Sequence, residues 1–218
     1  MSYPKPIPLT LWIVLAIGFL VAMFLQLWVI AFLGFLSLGL SILPFAFARW
    51  YEVELPDSFL IAITLFIYAT IFLGDAFQFY DRFWWWDIPL HGLSAVGFGL
   101  IGFLIAFMLF EGDKYAAPPI VICIIAACFA ITIAVIWEVF EYGMDRFFGM
   151  QMQQEGLVDT MEDLILGVVG ASLGAMAGFF YLKGRSLGGL TSAIAAFVNQ
   201  NKRLYRKLKN KRRNNSDN

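Results

Sequence analysis

The sequence predicts an all-α fold: a polytopic membrane helical bundle of about six transmembrane helices, followed by a C-terminal amphipathic helix. Three observations carry this. Apolar runs of bilayer-spanning length recur along nearly the whole chain. Only 14% of the 218 residues are charged, against ~25% in soluble globular domains. The basic and acidic residues are segregated into different loops rather than mixed. Such a composition excludes a soluble globular domain, and the chain carries no nucleophile elbow, P-loop or dinucleotide fingerprint.

The opening MSYPKPIPLT is followed by a long apolar stretch with no small-residue cleavage site, which predicts a retained first span rather than a signal peptide. From Leu9 to Ala48 the chain has no charge, a length too great for one crossing of ~20 residues. It divides into spans over 9–26 and 30–48, with a tight turn near Gln26 to Gly34. After the polar loop RWYEVELPD a third span covers 58–79 and a fourth 88–110. The loop EGDKYAAPP separates these from a fifth span over 120–142, and a sixth covers 160–182. Residues 1–185 thus form the spanning domain, and 186–218 a basic amphipathic helix with a disordered end, NNSDN.

Lys and Arg in short loops set the orientation. With an even number of spans, one side holds Lys5, Arg49, Lys114, Lys183, Arg185 and the basic tail, 13 of the 15 basic residues, while Arg82 and Arg146 lie on the other. Both termini are therefore expected on the cytoplasmic side. Beyond the last span Leu190, Ile194, Phe197, Val198, Leu204, Tyr205 and Leu208 recur at helical spacing, with Lys202, Arg203, Arg206, Lys207 and Lys209 between them. This pattern predicts a helix lying on the inner leaflet and drawing anionic lipid. Positive-inside charge beside a span accounts for the tail without a nucleic-acid partner. The lipid bilayer is the expected environment.

Cys123 and Cys128, five apart in an apolar helix, read as packing residues. The same holds for Gly97, Gly99, Gly102, Gly167, Gly170, Gly174 and Gly178, whose spacing permits close helix approach. Phe83 to Trp86 and Phe147-Phe148 fit an interfacial aromatic belt.

Two stretches resemble each other, GDAFQFYDRFWWWDIPLHGLSAVGFG and FEYGMDRFFGMQMQQEGLVDTMEDLILGVVG. Each has a carboxylate near a helix end, Asp-Arg-Phe, a loop, then Asp-x-x-x-(His or Asp) opening a Gly-bearing helix. Residues 58–110 and 120–182 would then be an internal repeat, an arrangement that often builds a site between its halves. Chance similarity of two short segments is the alternative.

Ten of the 16 acidic residues fall on the side opposite the termini: Asp75, Asp81, Asp87, Glu138, Glu141, Asp145, Glu155, Asp159, Glu162 and Asp163. Asp87, before Ile88-Pro89, has the features of a helix cap, and Asp159 with Glu162 the spacing of a capping box. Asp81-Arg82 and Asp145-Arg146 read as solvated ion pairs. Four residues resist such treatment. His91 lies about 6 Å deeper than Asp87 on nearly the same helix face, and Asp163 stands in the same relation to Asp159. Glu138 and Glu141 share a face of the fifth span. Ionisable groups inside a span cost several kcal/mol unless paired, metal-bound or hydrated, so they are functional candidates.

His91, Glu138, Glu141 and Asp163 are the candidate catalytic residues. With Asp87 and Asp159 they form a hard-to-borderline ligand set suited to a divalent metal, Zn, Mn or Fe. Against a metal stand the single histidine and the absence of H-E-x-x-H and E-x-x-H. A structural polar network is the alternative, and proton transfer between His91 and Glu138 is another use of the same groups.

Through DIPLH, WEVFE and VDTMEDLILGVVGA the chain resembles the YjdF-like bacterial inner-membrane proteins. That resemblance covers about the last two thirds of the spanning region, and implies a multi-pass protein of the bacterial inner membrane without implying an activity. More distantly the order Asp-x-x-x-His, a later Glu, then an Asp before a Gly-rich helix is similar to VanZ-like proteins. Asp163 stands where that pattern usually carries Asn, and its Arg-containing loop has no counterpart.

Three functions fit these features. One is a metal-dependent site acting on a lipid-linked or envelope substrate. The second is an ion- or proton-coupled transporter, and the third a non-catalytic membrane scaffold whose polar cluster fixes helix register.

Overall fold

The computed structural model describes residues 6–110, 117–149, 152–153 and 156–202, with side chains from Leu9 onward. Every regular element among them is helical. The helices are α1 (Pro6–Phe24), α2 (Trp28–Trp50), α3 (Asp57–Ile67), which runs on as a π-helix over Tyr68–Ala76, and the single turn α4 (Phe79–Arg82). There follow α5 (Asp87–Leu109), α6 (Pro119–Phe148), α7 (Leu157–Leu182) and α8 (Gly188–Gln200). Five segments are long and apolar enough to cross a membrane: α2, α3 with its π continuation, α5, α6 and α7. The apolar α1 is 19 residues long. The protein is a polytopic helical bundle.

The chain divides into two compact units, residues 1–87 and 88–218. In the first, α1 and α2 form the expected hairpin. The reversal needs only Leu25 to Leu27, with Gln26 in the left-handed region at φ 59° and the Leu27 N–H donating to the Ala22 carbonyl at 2.8 Å. α2 buries Ala31, Gly34, Ser37 and Ser41, a small-residue stripe that lets helix backbones approach. The serine hydroxyls donate back to Leu33 and Leu38 carbonyls at 2.8 Å, so both are buried at no cost in unmade hydrogen bonds.

The third expected span changes character halfway. From Tyr68 it becomes π-helical, an uncommon form usually limited to a single turn. Gly74 is required there, because a Cβ at this position would clash with the Tyr80 ring. The Trp86 indole donates to the Ala69 carbonyl within the π segment at 3.4 Å. Apolar periodicity over so short a stretch does not separate an α-helix from a π-helix, so nothing in the residue pattern signals it.

The second unit is stitched by glycine. A Cβ on Gly170 would stand 2.6 Å from the Gly92 carbonyl oxygen and 2.7 Å from Ala95 Cβ, one on Gly99 2.9 Å from the Ala171 oxygen, and one on Gly102 2.8 Å from the Ala126 oxygen. Gly174 meets Val96 and Gly99, Gly178 meets the Phe103 ring, and Gly167 meets Ala134. Thus α5, α6 and α7 pack at backbone distance along one seam. Gly97 departs from expectation and faces open space. Cys123 is buried and donates to the Ala175 carbonyl at 3.2 Å, whereas Cys128 is exposed.

α8 lies where the amphipathic helix is expected, with Leu190 and Val198 half-buried. Ile194 and Phe197 are buried, and the helix packs on α7. The continuation through Arg203, Leu204, Tyr205, Arg206, Lys207, Leu208 and Lys209 lies outside the described residues, as do Lys114 and Glu155.

Candidate functional site

α6 runs six residues past the expected end of its span, to Phe148. Antiparallel to it, α7 begins at Leu157 and α5 at Asp87. The C-terminal end of α6 therefore lies with the N-terminal ends of α5 and α7. Each seam residue series extends to this end: His91 precedes Ala95, Gly99 and Gly102 on α5; Asp163 precedes Gly167, Gly170 and Gly174 on α7. On α6, Ala126, Ala130 and Ala134 lead to Glu138 and Glu141. All are spaced by three or four residues, so the polar groups occupy the faces that the small residues bring together.

The result is a cluster of buried ionisable groups. Glu138, Glu141 and Asp163 are 6%, 8% and 5% exposed. His91, with its side chain 16% exposed, places Nδ1 at 3.4 Å from Asp163 Oδ1 and 4.0 Å from Glu138 Oε1. One donor atom from each of Glu138, Glu141 and Asp163 lies within 4.8 Å of the others, and the same holds for Asp87, His91 and Asp163. Asp163 belongs to both sets. By helical rise, His91 is about 6 Å, Asp163 about 9 Å and Glu138 about 15 Å inside its own helix end.

Three carboxylates so close repel one another. At ~4.8 Å and an effective dielectric of about 20, each ionised pair costs about 3–4 kcal/mol. Protonation of a carboxylate, a protonated His91 or a bound cation would each relieve that repulsion. One imidazole with several carboxylates is a donor set that could hold a metal ion.

Two residues near the cluster have roles that sequence reasoning missed. The Trp137 indole N–H donates to Glu141 Oε1 at 2.8 Å, fixing that carboxylate. The signal was a Trp four residues before an intramembrane Glu, hence on the same face. Asp145 does not simply pair with Arg146 in solvent. Its Oδ1 accepts the Met152 N–H at 2.7 Å and its Oδ2 the Gln153 N–H at 2.9 Å. The Gln153 side chain in turn donates to the Thr160 hydroxyl at 2.6 Å. Removing these charge-assisted bonds in Asp145→Ala is expected to cost about 2 kcal/mol locally. Hydrogen exchange at Met152 and Gln153 should accelerate more than about tenfold, and unchanged exchange there would contradict the latch.

Other expected residues take simpler places. Asp159 and Glu162 do not form a capping box, because the α7 N-cap is Gly156 (φ 61°) without a side-chain cap. Asp159 is half-buried and Glu162 exposed, and neither is part of the two donor sets. Asp87 is the first residue of α5 rather than the residue before it. Asp81 and Arg82 are exposed, as are Trp84, Phe147 and Phe148 of the aromatic belt.

The family model described as "Predicted membrane protein (DUF2238)" matches residues 7–184. An uncharacterized protein of Thermotoga maritima is 22% identical over 127 residues, covering 58% of this chain and 65% of that protein. The match thus spans just under two thirds of the relative's length. No solved structure matches the chain.

Proposed function

The chain belongs to the DUF2238 family of predicted membrane proteins, and we propose that its α5, α6 and α7 hold a divalent metal and act there on a lipid-linked or cell-envelope substrate. One observation carries this reading: Asp163 is shared by two sets of donor atoms, each set within 4.8 Å. His91, Glu138, Glu141 and Asp163 would bind the ion, with Asp87 at the rim and Asp159 one turn above Asp163. When bound, the ion would polarise a substrate oxygen and lower the pKa of a water.

The chain's own residues divide the remaining work. Glu138 and Asp163 set the negative charge that attracts the cation. Trp137 holds Glu141 in one orientation, and such outer-shell donors commonly govern metal affinity by about 10–100-fold. His91, the most exposed of the four, is the group placed to exchange a proton with substrate. A polar group so near the helix ends suits a substrate whose headgroup lies at the membrane surface while its tail stays in lipid. The basic-residue bias supports a site on the outer face of a bacterial inner membrane, with both termini cytoplasmic and the basic tail on anionic inner-leaflet lipid. The similarity to VanZ-like sequences adds an order of residues to this reading, not a substrate.

A second reading rests on the 3.4 Å approach of His91 to Asp163. The pair would be a proton relay of an ion-coupled transporter. Metal analysis of the full chain separates the two. The metal reading predicts about one ion or more per chain in wild type and loss in His91→Ala and Glu138→Gln. Metal-free wild type that drives a proton flux in proteoliposomes would replace it with the second.

A further inference from the structure

The turn between α7 and α8 forms an open surface depression at the opposite end of α7 from Asp163. Its volume is about 320 Å³, and Tyr181, Arg185, Ser186, Thr191 and Ser192 line it, a size within the range of small-molecule sites. Gly184 (φ 68°) and Gly188 (φ 56°) supply the left-handed conformations that fold the connection back on itself. The Arg185 N–H donates to the Phe180 carbonyl at 2.8 Å, and Thr191 accepts the Leu187 N–H at 3.0 Å while donating to the Gly188 carbonyl. The cavity wall is therefore fixed by hydrogen bonds.

Its chemistry favours an anion. No carboxylate is among the described residues that line it. Arg185 is exposed, and its guanidinium forms no ion pair among the described residues. It offers five N–H donors in a planar fork suited to phosphate. Lys183 is directed elsewhere, its Nζ lying 5.9 Å from the centre of the Phe179 ring. The position identifies the source of the anion. α7 ends at Leu182, so a side chain three residues further on is at the level of lipid headgroups, where basic pockets beside spanning helices take phosphate esters.

We infer that this cavity binds the phosphate of an anionic phospholipid headgroup, held by Arg185 and the hydroxyl of Ser186. The site differs from a diffuse attraction of lipid to the basic tail because it has a shape and one principal cation. The test is native mass spectrometry of the full chain after exchange into phosphatidylglycerol or phosphatidylcholine. Wild type should retain phosphatidylglycerol in about fivefold preference, the factor for one basic residue at an anionic surface. Arg185→Gln should remove that preference, and the charge-matched tail variant Arg212→Gln should keep it. Ala195→Trp fills the cavity without changing charge and should also remove the preference. Equal losses in Arg185→Gln and Arg212→Gln, or retention in Ala195→Trp, would overturn the assignment. Stabilisation of wild type but not Arg185→Gln by inorganic phosphate, without any lipid preference, would make this a free-phosphate site and also overturn it.

Discussion

Asp163→Asn is expected to abolish metal binding, weakening affinity by more than about 100-fold, beyond the 10–100-fold typical of outer-shell partners. The reason is its position in both donor sets. Glu141→Gln changes one set, whereas Asp163→Asn changes both, so the loss should be greater than for any other single carboxylate. The amide keeps the volume and one acceptor oxygen while it removes the charge and replaces the other oxygen with an NH2 donor. Two controls make the result specific. Asp159→Asn, outside both sets, should hold affinity within about fivefold, since it supplies no donor atom to either set and a partly exposed charge contributes about 0.2–1 kcal/mol. In the metal-free state Asp163→Asn should unfold at a higher temperature than wild type, because it removes a charge from a cluster whose pairs repel by about 3–4 kcal/mol. Isothermal titration with Mn²⁺ and thermal unfolding in a chelator read these outcomes. Destabilisation of metal-free protein by Asp163→Asn would show that the carboxylate serves a structural network instead.

Gly174→Val is expected to disrupt the second unit by about 3 kcal/mol or more, the upper part of the range for overpacking. A Cβ there meets the Val96 carbonyl oxygen and the Gly99 backbone. Backbone cannot rotate away as a side chain can, so α5 and α7 must separate. Separation would carry His91 away from Asp163, since both lie on the continuation of this seam. The substitution should therefore lower both the unfolding temperature and metal affinity, although it touches no ligand. Gly97→Val is the matched control, because a Cβ there meets nothing within 4 Å. It should leave both quantities near wild type. Equal effects of the two substitutions would contradict the packing described here.

The helices were legible because apolar length and loop polarity report membrane crossings directly. α5 and α7 begin or end within three residues of expectation. The overrun of α6 was not legible, because Asp145 and Arg146 resemble a loop in composition although they continue the helix. The glycine seam was read correctly except at Gly97, which shares the residue type but not the face. The same periodicity carries further than single residues suggest: Asp163 to Gly174 and His91 to Gly102 are each one continuous stripe. The Asp145 latch had no local signal, since its partners are backbone N–H groups seven and eight residues on.

The central claim is that α5, α6 and α7 bring one imidazole and several carboxylates to a shared cation. His91 is the only histidine in the chain, so an untagged preparation loaded with Mn²⁺ gives an unambiguous spectroscopic test. Pulsed electron paramagnetic resonance should detect modulation from one imidazole nitrogen, present in wild type and lost in His91→Ala. Bound Mn²⁺ without nitrogen modulation, or modulation that survives His91→Ala, would contradict the claim.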